Sequence, residues 1–381
     1  MDYRNYLIND VLKFWLSHAI DNQNGGIFTC IDEKGNIYGE DKSVWFQGRA
    51  LWTFSKAYNA IDNNPQYLAA AEKIYHFLPK CTDTDNRMFF TVTKEGRQLQ
   101  KRRYYFSETF AAIGCAEYYI ATGQKEAWEK AEIYFDTAYT LFKNPSLSTP
   151  KLNPKNAPYK ALSPVMIMLA ISQVLRKVNY EKYNPVAVEM TNEILNGGYL
   201  QEDALLENVT TDGKFFDSPA GRIINPGHSL EAAWFLIAEG LFQKDESIIE
   251  KALHIIDFSM KRGLVNGGII AFTDYCGKPP VALEWDMLLW WPQCEAIIAN
   301  RLAYMVTVNE KYLQSLNALL DFAFSHFAGP ENGEWYGYLH YDGTVANRLK
   351  GNIFKGPFHL PRMLMWLILS EENKALSIAA I

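Results

Sequence analysis

Gly267-Gly268-Ile269-Ile270-Ala271-Phe272, closed by a turn at Gly277, runs on to the helix start Trp290-Trp291-Pro292-Gln293-Cys294-Glu295. A run of aromatic and β-branched residues closed at a glycine reads as a hairpin, and the 3.6-residue apolar period that follows reads as a helix. The same order recurs along the chain. Gly25-Gly26-Ile27-Phe28-Thr29 with Asp32–Gly35, Met88–Thr93 with Glu95-Gly96, Leu205–Val209 with Asp212-Gly213, and Trp335–His340 with Asp342-Gly343 each stand between two helical patterns. The stretch Lys143–Lys160 keeps Pro and Asn but carries no hairpin pattern.

The apolar period predicts helices over 2–19, 42–60, 66–77, 105–122, 126–142, 160–178, 183–195, 227–241, 246–262, 290–308, 310–327 and 358–371. The repeating unit is a helix, a long decorated loop, a second helix and a short loop, at intervals of about 60 residues. A helical hairpin cannot bury its apolar face alone, so the units must pack on one another. Six such hairpins close into a ring with even-numbered helices inside and odd-numbered ones outside. Periodicity by itself leaves an open helical solenoid as the alternative. The length of 381 residues is one that repeat toroids reach as single domains.

Composition narrows the function. Hydrophobic residues at 48% against 21% charged give a globular balance, and a chain of this length buries a core without disulfides or metals. A net charge of −6 with no Lys/Arg-rich run argues against a nucleic-acid surface. Met1-Asp2-Tyr3-Arg4 leads into an amphipathic pattern, and the longest nearly apolar runs, Ala161–Ile171 and Met363–Leu369, are too short to span a bilayer. Five scattered cysteines without a C-x-x-C pair fit a reduced compartment, so the expected location is cytoplasmic. Aromatics reach 14%, and some stand beside polar residues in short motifs, a mixture that suits stacking on the apolar face of a sugar.

In the ring, every long loop leads into an even-numbered helix, so function-bearing residues should collect at those helix starts. The starts read Trp45-Phe46-Gln47-Gly48-Arg49, Tyr104-Tyr105-Phe106-Ser107-Glu108, Asn225-Pro226-Gly227-His228-Ser229-Leu230-Glu231, Trp290-Trp291-Pro292-Gln293-Cys294-Glu295 and Lys355-Gly356-Pro357-Phe358-His359-Leu360-Pro361-Arg362. His228 and His359 are the candidate proton carriers, because imidazole both takes and returns a proton near neutrality. Inversion at a carbon acid needs one base on each face, and two histidines supply that. Glu231, three residues after His228 and on its helix face, and Glu295 are candidates to orient a histidine or move a ring-opening proton. Arg49 and Arg362 are candidates for a developing oxyanion, reinforced by the positive ends of the helices. Trp45, Tyr105, Glu108, Trp291 and Gln293 complete the candidate substrate contacts.

Each has a structural counterpart: a capped, hydrogen-bonded histidine at a helix start, or an arginine in a salt bridge. A cation held by His228, Glu231, Glu295, His340 and His359 is a rival, but no H-E-x-x-H or paired-Cys spacing supports it. Glu108, Glu231 and Glu295 also leave room for a two-carboxylate glycosidase. The chain has no G-x-S-x-G, G-x-G-x-x-G or P-loop motif, so neither a serine hydrolase nor a Rossmann cofactor is expected.

Trp45-Phe46-Gln47-Gly48-Arg49, Asn225-Pro226-Gly227-His228-Ser229-Leu230-Glu231, Trp291-Pro292-Gln293-Cys294-Glu295 and Lys355-Gly356-Pro357-Phe358-His359-Leu360-Pro361-Arg362, with Gly337-Tyr338-Leu339-His340-Tyr341-Asp342-Gly343, resemble the N-acylglucosamine 2-epimerase family, also called renin-binding proteins. The likeness runs in order from about residue 25 to 365. It implies a single (α/α)6 barrel over 1–381 with short β-hairpins in the loops at one end, often assembled as a homodimer. It implies interconversion of N-acetylglucosamine and N-acetylmannosamine without a cofactor in the chemistry, with ATP as an activator outside the reaction. By the same resemblance His228 and His359 are the acid/base pair, with Arg49, Glu231 and Glu295 around them. Related cellobiose 2-epimerases and mannose isomerases commonly carry a polar Asn/His motif on the sixth helix. Here that stretch reads Leu162-Ser163-Pro164-Val165-Met166-Ile167-Met168, which favours the acylglucosamine branch. Aldose–ketose isomerisation, 2-epimerisation of mannose-type sugars or disaccharides, a toroid glycoside hydrolase and pure regulatory binding are the alternatives in function.

Overall fold

A computed structural model describes residues 1–148, 153, 155–156, 158–329 and 333–372. The first helix, α1, continues from Tyr3–Tyr6 through a π-helical stretch, Leu7–Leu12, to Lys13–His18. Then come α2 (Val44–Ala60), α3 (Pro65–Phe77), α4 (Phe106–Thr122), α5 (Lys125–Lys143), α6 (Leu162–Leu175) and α7 (Tyr180–Asn196). They are followed by α8 (Pro226–Gln243), α9 (Glu246–Gly263), α10 (Trp290–Thr307), α11 (Glu310–His326) and α12 (His359–Glu371). Every helix expected from the period is present within a few residues of its predicted bounds. A single turn at Pro219–Arg222 was not expected, since four residues are too few to display a period.

Local chemistry sets the helix starts. Asn64 and Asn225 cap α3 and α8 with their side chains, each followed by a proline whose missing N–H costs nothing at that position. Asn179, Asp245 and Asn309 cap α7, α9 and α11. The odd helices α5, α7, α9 and α11 bury one stripe and expose the rest, whereas α4 is buried without a break from Ser107 to Tyr118 and α10 from Pro292 to Asn300. The alternation of half-buried and fully buried helices is that of a cover and an interior.

The chain divides into two compact units. The first comprises Met1–Lys151, Gly329–Tyr336 and Arg348–Met365; the second comprises Leu152–Ala328, Gly337–Asn347 and Trp366–Ile381. The division falls inside α12. In the first unit α2 and α4 lie backbone against backbone. A Cβ on Gly48 would stand 2.4 Å from the Phe110 carbonyl carbon, and one on Gly114 would stand 2.5 Å from the Gly48 carbonyl oxygen. In the second unit α8 packs on α9 and α10, and α6 packs on α7.

Short strands precede most even helices and pair with the loop leading to the next even helix. The strand β1 (Lys42–Ser43) before α2 pairs with β2 (Thr91–Val92), which also pairs with β3 (Gln98–Gln100). Before α6, β4 (Tyr159–Ala161) pairs with β5 (Asn208–Thr210). Three further strands are β6 (Ile223–Ile224), before α8, and the hairpin pair β7 (Leu264–Val265) and β8 (Gly268–Ile269). β6 pairs with β9 (Thr273–Asp274), and β10 (Leu288–Leu289), before α10, pairs with β11 (Tyr338–Leu339).

These pairings correct one expectation. Leu205–Val209 with Asp212-Gly213 was read as a hairpin of its own, but its strand pairs with Tyr159–Ala161. Lys143–Lys160, read as carrying no hairpin, forms none among its described residues, and its Tyr159 and Lys160 supply part of the partner strand; residues 149–152, 154 and 157 of this stretch lie outside the described residues. The physical reason is length: a two- or three-residue ribbon is marginal alone and takes its ladder from a neighbouring loop. Near Gly25–Thr29 only isolated bridges form, Ile20 with Ile27 and Ile31 with Ile37. Cys30, Cys81, Cys115 and Cys294 are buried free thiols and Cys276 is an exposed one. Among the described residues, no helix is long and apolar enough to cross a membrane.

Candidate active site

His228 lies in the first turn of α8, its backbone N–H donating to the capping Asn225 Oδ1 at 3.1 Å. Its ring Nδ1 is 3.0 and 3.1 Å from the two carboxylate oxygens of Glu207. An ionised carboxylate only accepts, so Nδ1 carries the hydrogen. The Trp291 ring, at the start of α10, lies 5.2 Å away between centroids, and Gly227 permits this, since a Cβ there would stand 2.6 Å from the indole. Burial disfavours a charge on His228, but the Glu207 charge and hydrogen bond, with the more distant Glu231 and Glu295, outweigh it and raise its pKa above the ordinary imidazole value.

Glu231 is half-buried one turn further along α8. Glu295 is fully buried in α10 and accepts the indole N–H of Trp234 at 2.8 Å. All these groups belong to the second unit.

In the first unit, Arg49 of α2 lays its guanidinium 3.9 Å from the Phe110 ring centre and 4.7 Å from that of Phe358, cation–π contacts that fix a half-buried charge. Trp45, one turn earlier, is half-buried against the edges and faces of Phe90, Phe106 and Phe110. His359 opens α12 at 6% exposure, and its Nδ1 is 3.4 Å from the Arg362 guanidinium, itself 4% exposed. Tyr105 stands just before α4, half-buried, and burial pushes its phenol well above the ordinary range.

Two expected substrate contacts prove structural. Gln293 is fully buried; its Oε1 accepts the Ile269 N–H at 2.7 Å and its Nε2 donates to the Ile269 carbonyl at 2.8 Å and to the Leu289 carbonyl at 2.9 Å. Gln47 in α2 makes the same clamp on Ile27, at 2.9 Å in both directions. A primary amide matches one residue's N–H and C=O together, so each glutamine staples a hairpin loop to a helix start. Glu108 is also fully buried, ion-paired to Arg87 at 2.6 Å and accepting the Met88 N–H at 2.9 Å. Burial raises its pKa against the opposing pull of Arg87. It anchors the loop before α4. His340, a rival metal ligand, is an exposed turn residue whose N–H donates to Thr344 O at 2.8 Å.

Sequence reasoning missed Glu207. It lies inside the run Leu205–Val209, which was read only as strand. The available signal was a lone carboxylate among apolar residues, since a buried charge needs a partner.

Residues 26–355 match the family described as N-acylglucosamine 2-epimerase (GlcNAc 2-epimerase). The chain is 33% identical over 374 residues to the N-acylglucosamine 2-epimerase of Bos taurus, covering 94% of this chain and 87% of that one. The solved cellobiose 2-epimerase from Bacillus thermoamylovorans B4167 shares the fold with a TM-score of 0.84 at 21% identity, over 97% of this chain and 98% of that one. A solved D-mannose isomerase gives a TM-score of 0.84 at 18% identity, over 97% and 96% of the two chains. The common fold is the all-α (α/α)6 barrel.

Proposed function

The chain belongs to the N-acylglucosamine 2-epimerase family and is a sugar 2-epimerase, an isomerase, and from that premise we propose that it interconverts N-acetylglucosamine and N-acetylmannosamine. The observation that carries the substrate is the 33% identity to a relative of that name across nearly the whole chain. In this reading residues 1–381 act as one catalytic domain, in the cytoplasm and as a homodimer. The chemistry requires no metal or nicotinamide, and ATP acts as an activator only.

The pyranose opens to the aldehyde, which makes the C2 proton acidic. One of His228 and His359 removes that proton and the other delivers one to the opposite face. Enolate charge is met by Arg49 and by the helix-start N–H groups. Arg362, against His359 Nδ1, orients that ring, and Glu231 and Glu295 carry the ring-opening proton or hold a hydroxyl. Trp45, Tyr105 and Trp291 offer aromatic faces to the sugar.

What supports this reading is the chemistry of the two histidines. Each stands in the first turn of a helix with a charged partner on Nδ1, a carboxylate for His228 and a guanidinium for His359. The test is incubation of the purified protein with N-acetylmannosamine, with and without EDTA. The reading expects N-acetylglucosamine in both samples. Activity abolished by EDTA and restored by a divalent ion, or faster formation of fructose from mannose, contradicts it.

A further inference from the structure

We infer that Glu207 is the positioning residue of the proton transfer at His228: its carboxylate commits Nδ1, so the proton exchanged with the sugar passes through Nε2. The inference rests on the two-histidine reading above and assigns a residue that the reading does not need.

Glu207 is itself held on both sides. Its backbone N–H donates to Ile223 O at 3.3 Å, and its carbonyl accepts the Leu162 N–H at 2.9 Å, at the start of α6. The backbone just before β5 is therefore tied to two neighbouring segments, and the side chain is aimed from a fixed base. Both carboxylate oxygens fall within 0.1 Å of the same distance from one ring nitrogen, at 3.0 and 3.1 Å. The ring face is backed by Trp291. With Nδ1–H donated, the neutral imidazole presents its lone pair at Nε2, the tautomer a base needs.

The charges around the ring act in the same direction. Glu207 comes from the α7–α8 loop, Glu231 from α8 and Glu295 from α10, all three raising the His228 pKa. The helix α6 carries no charged side chain. The charged residues of α9 are exposed apart from the half-buried Arg262, which pairs with Asp203. A two-base site works with one proton shared between its imidazoles. The carboxylates make His228 the holder of that proton, and the alkaline limb of kcat/KM marks its loss. Removing the Glu207 charge lowers the His228 pKa, so this limb moves to lower pH.

The test is nitrogen NMR of histidine-labelled wild type, Glu207→Gln and Glu207→Asp, with His228 assigned from His228→Asn, alongside pH profiles on N-acetylmannosamine. The wild type shows neutral His228 as the Nδ1–H tautomer. Glu207→Gln shows a tautomer mixture, a lower titration midpoint, an alkaline limb shifted down by the same amount and kcat reduced at least about 10-fold, short of the 10²–10⁴-fold expected for losing the acid/base itself. Its KM changes little. Glu207→Asp restores the charge and with it the midpoint and the limb. An unchanged tautomer and midpoint in Glu207→Gln overturns the inference, even if activity falls. A wild type that turns over no sugar defeats the proposed function instead, and the NMR comparison still reads Glu207. If Glu207→Gln does not fold, the wild-type ring decides: a neutral Nδ1–H tautomer supports the inference, and an Nε2–H tautomer overturns it.

Discussion

Trp234 gives its indole N–H to the Glu295 carboxylate at 2.8 Å, and both side chains are completely buried. A charged oxygen in that position depends on its donor. Trp234→Phe keeps the aromatic bulk and removes the hydrogen, leaving Oε2 without this bond. A buried acceptor stripped of its partner costs about 1–3 kcal/mol, more when charged. The urea midpoint should fall accordingly, and kcat should fall with it, because Glu295 loses its fixed position. A variant as stable and active as wild type would show that the bond does no such work.

The glutamine clamps predict a separation of stability from binding. Gln293→Ala orphans the buried N–H and C=O of Ile269, and Gln47→Ala does the same to Ile27. Each should lose about 1–3 kcal/mol for each orphaned group. KM for N-acetylmannosamine should stay within a few-fold of wild type. A large rise in KM with unchanged stability would return Gln293 to the substrate contacts.

The buried Lys350 predicts a pH dependence of stability. Burial lowers its pKa from 10.5 to about 8, Glu334 opposing and Lys355 assisting. Its ammonium donates to the Glu334 carbonyl, while Lys355 pairs with the Glu334 carboxylate at 2.9 Å. Between pH 8 and 10.5 the unfolded chain binds the proton that the folded chain has released, so folding stability rises with pH across that window. The stability difference between wild type and Lys350→Met should therefore move in favour of wild type from pH 8 towards pH 10 in urea titrations. A difference constant across this range would contradict the shift.

The histidine variants should differ in kind. His228→Asn and His359→Asn should each lose at least about 10²-fold of net epimerisation. The remaining histidine still exchanges the proton on its own side. One variant should then incorporate deuterium into N-acetylglucosamine and the other into N-acetylmannosamine, neither forming product. A folded His359→Asn protein with near-normal turnover would remove His359 from the acid/base pair.

The helices were legible because twelve long apolar periods are strong signals. Strand partners were not. The run at Leu205–Val209 announces a strand but cannot name Tyr159–Ala161 as its mate, since pairing across tens of residues leaves no local trace. The same limit hid the Glu207–His228 pair, whose members lie 21 residues apart. Gln293 and Glu108 were misread for a related reason. Polar residues at helix starts serve loops as readily as ligands, and only the hydrogen-bond partners separate the two roles.

Proton NMR of N-acetylmannosamine with the wild-type protein in heavy water tests the central claim, proton transfer at C2 between two bases. The account predicts that N-acetylglucosamine forms with the C2 proton replaced by deuterium, because the proton delivered to the second face comes from an imidazole equilibrated with solvent. N-acetylglucosamine that accumulates with its original C2 proton retained, or a substrate that neither exchanges nor converts, would contradict it.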